Sequence, residues 1–310
     1  MSGSKTQLAS FAGILAIIVW SSNVAVSKTV MNEFGPFNAA FYIYFFSGIV
    51  NFIILFIALG KPKFLGYLKS LPPKYYFHTG IFFIFNNVFF YVALGLAKSN
   101  EELIIVTLLN YLWPVLIYIF RVPIYHSRIK PVLYFPAIIL ALAGILIALL
   151  QGYSGQQLIE IAAALDDNFL AFLFAVMGAV SWALYSNLIK KYKSSDDIAA
   201  MPLIFMLSGL AFFGIQVFRG DTQSLSLSPL LSSPSLIYSI LGPTCLGYLF
   251  WFLAMKYGNR NLVTSLSYLI PVGSVFLVSS IHSIPVRPMF WVSVALLTGA
   301  AIMGMKSVKD

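Results

Sequence analysis

VTLLNYLWPV, residues 106–115, returns with three changes as VTSLSYLIPV at residues 263–272. Both stretches lie inside long apolar runs, and both keep a proline, which removes a hydrogen bond from the interior of a helix. Amide, hydroxyl and indole groups beside such a proline are costly in lipid unless they face a cavity or the protein interior. The repeated stretch therefore predicts two related halves, each with a bend at a polar place.

Further matches follow the same order along the chain. At offsets of 158–162 residues, these are Trp20 and Lys28 with Trp182 and Lys190, Ser47 and Gly48 with Ser208 and Gly209, and Lys98 with Lys256. The repeating unit is predicted to hold five helices, so the second copy must enter the membrane from the opposite side. Inverted repeats of this kind are typical of secondary transporters, because two such halves can open one site to either face in turn.

The composition independently indicates a membrane protein. Only 9% of the residues are charged and the mean hydropathy is +0.89, whereas a soluble domain carries about 25% charged residues. Segments of the length needed to span a bilayer are predicted at 8–31, 37–59, 75–97, 102–120, 132–150, 169–189, 198–218, 235–255, 261–283 and 288–305. We therefore expect an all-α integral membrane protein with ten transmembrane helices, arranged as two inverted five-helix repeats around a central cavity. The repeats are residues 1–152 and 169–310, joined by an extracytoplasmic linker at 153–168.

The net charge of +9 is explained by membrane topology and not by nucleic acid. With ten alternating spans, 15 of the 19 basic residues fall on one predicted face. Basic residues concentrate in cytoplasmic loops, so both termini are predicted to be cytoplasmic. The lone Cys245 lies in a predicted span and excludes a disulfide within the chain.

Polar and aromatic side chains share faces of the predicted spans at helical spacing. The candidates for lining a cavity are Trp20, Asn23, Asn86, Asn110, Trp113, Trp182, Tyr185, Tyr248, Ser267 and Tyr268, with Pro114 and Pro271 as hinges. Two alternatives stay open: the asparagines could join helices by hydrogen bonds, and a tryptophan near a span end could anchor the membrane interface.

The residue types that are absent from the predicted spans limit the substrates and reactions that the protein could support. No acidic residue falls at mid-membrane, which disfavours a proton-coupled exporter of hydrophobic cations and leaves an intramembrane enzyme without an acid or base. There is no phosphate-binding Gly-rich loop, and His78, His126 and His282 lack metal-ligand spacing, so neither a cofactor nor a metal is expected. A neutral aromatic cavity suits a zwitterion, with aromatic faces attracting an ammonium group and amides or hydroxyls binding a carboxylate.

Three stretches resemble one known family: NYLWP at 110–114, WSSN at 20–23 and GAVSWALYSNLIKKY at 178–192. They are similar to the YddG-type aromatic amino acid exporters of the EamA group, in the drug/metabolite transporter superfamily. The resemblance implies a bacterial inner-membrane protein of ten helices that exports aromatic and some other neutral amino acids. It also implies that Tyr111 joins the cavity, together with Trp20, Trp113 and Trp182. The third span is less similar, so Asn86 rests on the residue pattern alone.

We therefore expect a secondary transporter that exports neutral, mainly aromatic, amino acids by alternating access. The alternative is a permease of the same superfamily for another small metabolite or drug. Without a buried carboxylate, the sequence favours facilitated diffusion over proton coupling. The expected partners are the substrate and the lipid bilayer, without nucleic acid, and we expect a monomer.

Overall fold

Helices make up nearly all of the chain that the computed structural model describes, which is residues 3–150, 168–192, 197–220, 228–267, 269–283, 286 and 288–309. Within this part, the β pairing is a two-residue antiparallel contact between Arg128–Ile129 and Val308–Lys309. Apart from Asn168, the predicted linker lies outside the described residues, as does Tyr268.

The first half of the chain forms seven helices. They are α1 (Gly3–Phe34), α2 (Pro36–Leu59), α3 (Lys61–Ser70), α4 (Ile81–Leu96), α5 (Asn100–Asn110), α6 (Trp113–Tyr125) and α7 (Pro131–Leu150). Helix α3 occupies the connector between the second and third predicted spans. A π-helical turn, Tyr75–Gly80, leads directly into α4 and completes the third span.

The described residues of the second half form eight helices. Its helices are α8 (Phe169–Tyr192), α9 (Met201–Arg219), α10 (Ser228–Ser232), α11 (Pro234–Ser239), α12 (Gly247–Tyr257), α13 (Arg260–Ser267), α14 (Ile270–His282) and α15 (Pro288–Ser307). A π-helical segment, Ile240–Leu246, joins α11 to α12. It contains Pro243, whose missing N–H cannot support a regular α-helical ladder.

Eight helical segments among the described residues are long and apolar enough to cross a bilayer. Two shorter apolar segments, Pro131–Ile145 and Ile270–His282, lie where the fifth and ninth spans are predicted. The chain is therefore a multi-pass membrane protein with a nearly all-helical fold.

Both repeated proline stretches break a span into two helices. Pro114 and Pro271 lie in the first turns of α6 and α14, where a missing N–H costs nothing. Each break contains an equivalent hydrogen bond across three residues. The N–H of Leu112 donates to the backbone oxygen of Leu109, 3.1 Å away, and the N–H of Leu269 donates to that of Leu266, 2.9 Å away. The sequence predicts a bend at each proline, and the structure places a helix end just before it.

The ends of the broken spans also match. His126 follows α6 and Ser283 follows α14, and each adopts a left-handed backbone with φ of 53°. These two residues stand at the same offset as the repeated sequence. The similarity between residues 106–115 and 263–272 thus extends to the backbone conformation at both ends of α6 and α14.

The first helix of each half packs into the other half. Helices α4, α5 and α6 pack on α8, and we call these four the first bundle. Helices α12, α13 and α14 pack on α1, and these four form the second bundle. The pairs α2–α9 and α7–α15 connect the halves outside the two bundles.

The repeated Ser-Gly pair lies where α2 crosses α9. A β carbon on Gly209 would lie 2.6 Å from Cβ of Phe45, and one on Gly48 would lie 2.8 Å from the backbone nitrogen of Met206. Small residues let membrane helices approach until their backbones nearly touch. The two halves are therefore in close backbone contact at this crossing.

Candidate functional site

A cavity of about 500 Å³ lies between the two bundles. Ten of the eleven residues predicted to line a site are in its wall: Trp20, Asn23, Asn86, Asn110, Tyr111, Trp113, Trp182, Tyr185, Tyr248 and Ser267. The eleventh, Tyr268, lies outside the described residues. Both predicted hinge prolines lie in helices. Pro271 is buried in α14, and Pro114 lies in the first turn of α6.

The structure also places residues outside this set of eleven candidates in the cavity wall. The main additions are Tyr44, Asn87, Met201, Pro243, Thr244 and Trp251. Tyr44 lies on α2, which has few polar residues, but it shares a buried face with Ser47 and Asn51 at spacings of three and seven residues. That buried polar face is the signal that could have identified α2 as a wall helix.

One aromatic cluster surrounds Trp20 in the second bundle. Its indole Nε1 donates a 3.0 Å hydrogen bond to the backbone oxygen of Pro243, in the π-helical segment. Its ring centroid lies 5.2 Å from those of Tyr248 and Trp251. Gly247 leaves room for the indole, because a β carbon there would lie 2.6 Å from Nε1. Trp20 is thus held in one orientation at the cavity wall.

A second aromatic cluster forms the facing wall around Trp182. The Trp182 ring lies 6.2 Å from Trp113, in an edge-to-face arrangement, and 5.3 Å from Tyr185. It also lies 6.3 Å from Tyr248 of the opposite bundle. Such aromatic walls offer large apolar area together with a negative ring face that attracts cations.

Amide side chains form a chain of hydrogen bonds beside this cluster. Tyr44 donates from its hydroxyl to Oδ1 of Asn87, 2.9 Å, and Asn86 donates from Nδ2 to the same oxygen, 3.2 Å. Asn87 in turn donates from Nδ2 to Oγ of Ser208, 3.5 Å. The chain links α2, α4 and α9 and ends at the cavity.

Tyr111 bridges the two bundles at the break between α5 and α6. Its hydroxyl lies 2.5 Å from Oγ of Ser274 on α14, and that serine donates its own proton to the backbone oxygen of Ser21, 3.0 Å away. Tyr111 therefore donates to Ser274. Helix α5 also packs on α14, whereas no extensive packing joins α6 to α13 among the described residues. The two bundles therefore contact each other on the α5–α14 side of the cavity.

The described wall carries no charged side chain. No group of three potential metal ligands occurs among the described residues either. The site can therefore offer aromatic faces, amides and hydroxyls.

Known proteins resemble this chain along nearly its whole length. The sequence model of the EamA-like transporter family matches residues 7–150 and again residues 169–305. The aromatic amino acid exporter YddG of Escherichia coli is 25% identical over 96% of each chain. The protein of the same name from Salmonella typhimurium is 26% identical over 92% of each chain, and that from Ancylobacter novellus is 25% identical over 87%.

The fold is also similar to a solved one. A crystal structure covers 96% of each chain with a TM-score of 0.65 and 22% sequence identity. At that identity the likeness concerns the fold alone.

Proposed function

The chain belongs to the EamA-like transporter family, and from this we propose that it exports neutral, mainly aromatic, amino acids across the bacterial inner membrane. As a member of a transporter family it carries its substrate and does not transform it. The names of its relatives support amino acid export, since three proteins that align with most of the chain are aromatic amino acid exporters.

The observation that carries the proposal is the uncharged aromatic cavity between the bundles. An aromatic side chain can pack between the clusters around Trp20 and Trp182, where apolar burial contributes about 25 cal/mol per Å². A zwitterion has no net charge, so a site of amides and ring faces can bind it without a buried counter-ion. A substrate with a net charge would have to bind there without a buried counter-ion.

Alternating access is part of this proposal. The contacts of α5 with α14, and of Tyr111 with Ser274, close one side of the cavity, and the predicted topology assigns this side to the periplasm. Ile189 and Met255 line the other end, which the same topology assigns to the cytoplasm. An exporter with its cavity open to the cytoplasm is ready to load substrate.

The opposite state follows from the internal symmetry. If the bundles rock about the α2–α9 crossing, α6 can close on α13 while α5 leaves α14. Ten spans in two inverted five-helix repeats, with both termini in the cytoplasm, provide this symmetry. The double family match and the equivalent helix breaks support the arrangement.

Counterflow tests the function directly. Proteoliposomes containing purified protein and loaded with unlabelled phenylalanine should accumulate labelled phenylalanine or tryptophan above the level of empty vesicles. Trp113→Ala should reduce this uptake at least tenfold, with unchanged amounts of reconstituted protein. The matched control is Trp291→Ala, since Trp291 is partly exposed on α15 and lies outside the cavity wall.

Two results would contradict the proposal. One is the absence of counterflow for every aromatic amino acid. The other is better exchange of other small metabolites or drugs in a panel of competing solutes, which would favour the alternative permease.

A further inference from the structure

The direction of the hydrogen bonds at Ser208 determines the orientation of two asparagines. Oγ of Ser208 donates its only proton to the backbone oxygen of Ile204, 2.9 Å away. Toward Asn87 it can therefore act only as an acceptor, which requires the Nδ2 side of Asn87 to face it. Oδ1 of Asn87 must then point to the opposite side.

Asn86 is oriented by the next link. Oδ1 of Asn87 accepts from Tyr44 and from Asn86, so Asn86 must present Nδ2 to Asn87. Its own Oδ1 is then directed away from Asn87, and no described residue donates to it. Since Asn86 lines the cavity, this oxygen is an acceptor available to whatever the cavity holds.

A second acceptor lies close by. Oδ1 of Asn110 is buried and has no hydrogen-bond partner among the described residues. A β carbon on Gly178 would lie 3.5 Å from this oxygen and 3.6 Å from the backbone oxygen of Asn86. The side chain of Asn110 and the backbone of Asn86 therefore both lie beside Gly178 on α8. Trp182 follows four residues later, on the same face of α8.

We propose that Asn86 and Asn110 form the subsite for the ammonium group of the transported amino acid, beside the ring of Trp182. This rests on the proposed function. A carbonyl oxygen without a donor attracts a group that carries several N–H bonds, and the fixed orientation of Asn86 turns an acceptor, not a donor, towards a carboxylate. A neutral amide pair also fits a transporter that must release its cargo, because no fixed negative charge retains the cation.

Three probes separate the parts of the substrate. Phenylalanine has both charged groups, 3-phenylpropionate lacks the ammonium, and phenethylamine lacks the carboxylate. Their equilibrium binding to the purified protein is measured for the wild type, Asn86→Leu and Asn86→Asp. Asn51→Leu is the matched control, because Asn51 is a buried amide outside the cavity wall that bonds within its own helix, to the oxygen of Ser47.

Asn86→Leu should weaken phenylalanine and phenethylamine about 10- to 100-fold, the loss expected for a hydrogen bond to a charged group, and leave 3-phenylpropionate unchanged. Asn86→Asp keeps the shape of the side chain and should strengthen phenethylamine at least tenfold relative to 3-phenylpropionate. Asn51→Leu should change none of the three.

Equal weakening of all three probes by Asn86→Leu, or no gain for phenethylamine with Asn86→Asp, would overturn the subsite. The aspartate variant decides the matter if the leucine variant does not fold. A wild-type protein without counterflow, but with selective loss of phenethylamine binding in Asn86→Leu, would refute the proposed function and leave the subsite standing.

Discussion

In the proposed alternating-access cycle, removing one hydroxyl by Tyr111→Phe should favour the state that is open to the periplasm. The hydroxyl of Tyr111 donates to Ser274 across the two bundles, on the closed side of the cavity. Ser274 keeps its bond to the backbone oxygen of Ser21 after the substitution, so no buried donor is left without a partner. The loss is therefore a single net hydrogen bond, about 1 kcal/mol.

That energy predicts a measurable change in population. Because a factor of ten corresponds to about 1.4 kcal/mol, the ratio of periplasm-open to cytoplasm-open protein should rise about fivefold. The substitution should destabilise only one of the two states. At the repeat offset, the counterpart of Ser274 is Ile117, which has no hydroxyl, so the opposite state lacks an equivalent of this Tyr111–Ser274 bond.

A cysteine at position 278 can report the shift. Val278 is fully buried and lies one turn from Ser274 on the same face of α14. In a Cys245→Ala background, Val278→Cys should react with a membrane-impermeant maleimide in proportion to the periplasm-open population. Tyr111→Phe should raise the alkylation rate in cells about fivefold.

The control is Tyr125→Phe, which removes a tyrosine bond to the backbone oxygen of Asn187 within the first bundle. It should leave the alkylation rate unchanged. If Tyr111→Phe gives the same rate as the parent, the Tyr111–Ser274 bond does not hold the cavity closed. If both variants raise the rate alike, the effect is general loosening and the interpretation is wrong.

Three further predictions concern the cavity, the crossing and the energy source. Gly247→Ala should displace the Trp20 indole and weaken substrate binding about tenfold in equilibrium assays, whereas Gly299→Ala, with open space at its β position, should not. Gly209→Ala should force α2 from α9 and cost about 1–3 kcal/mol, seen as a lower Tm in detergent than for the control Gly214→Ala, where the β position is also open. Efflux of labelled phenylalanine from vesicles should be the same with and without an imposed pH gradient, because no described wall residue is a carboxylate; a gradient-dependent rate would indicate proton coupling.

The repeat could be predicted because tryptophans, prolines and lysines are few in this apolar chain, so that matching residues in the same order stand out. The pattern of polar and aromatic residues selected nine of the described wall residues for a related reason, since a polar group at mid-span must face protein or water. Residue patterns along single helices could not reveal contacts between helices. The Tyr111–Ser274 bond joins positions 163 residues apart, and nothing in either local pattern pairs them.

Tyr44 was missed for a different reason. On α2 it is one aromatic residue among many, marked in the sequence only by its spacing from Ser47 and Asn51, and the partner of its hydroxyl, Asn87, lies on another helix. The π-helical segment at Ile240–Leu246 was also beyond the pattern, although Pro243 lies in it. Proline indicates that a ladder bond is missing, but the packing of neighbouring helices decides how the backbone compensates.

The exchange of α1 and α8 between the bundles has a consequence for biogenesis. The bond from Trp20 to Pro243 spans 223 residues, so α1 leaves the ribosome long before its partners α12, α13 and α14 exist. During synthesis the polar face of α1 must therefore be shielded from lipid by another protein surface, such as that of the insertase. Neither half should mature when translated alone, and two separately encoded halves should rescue one another only when produced together in the same cell.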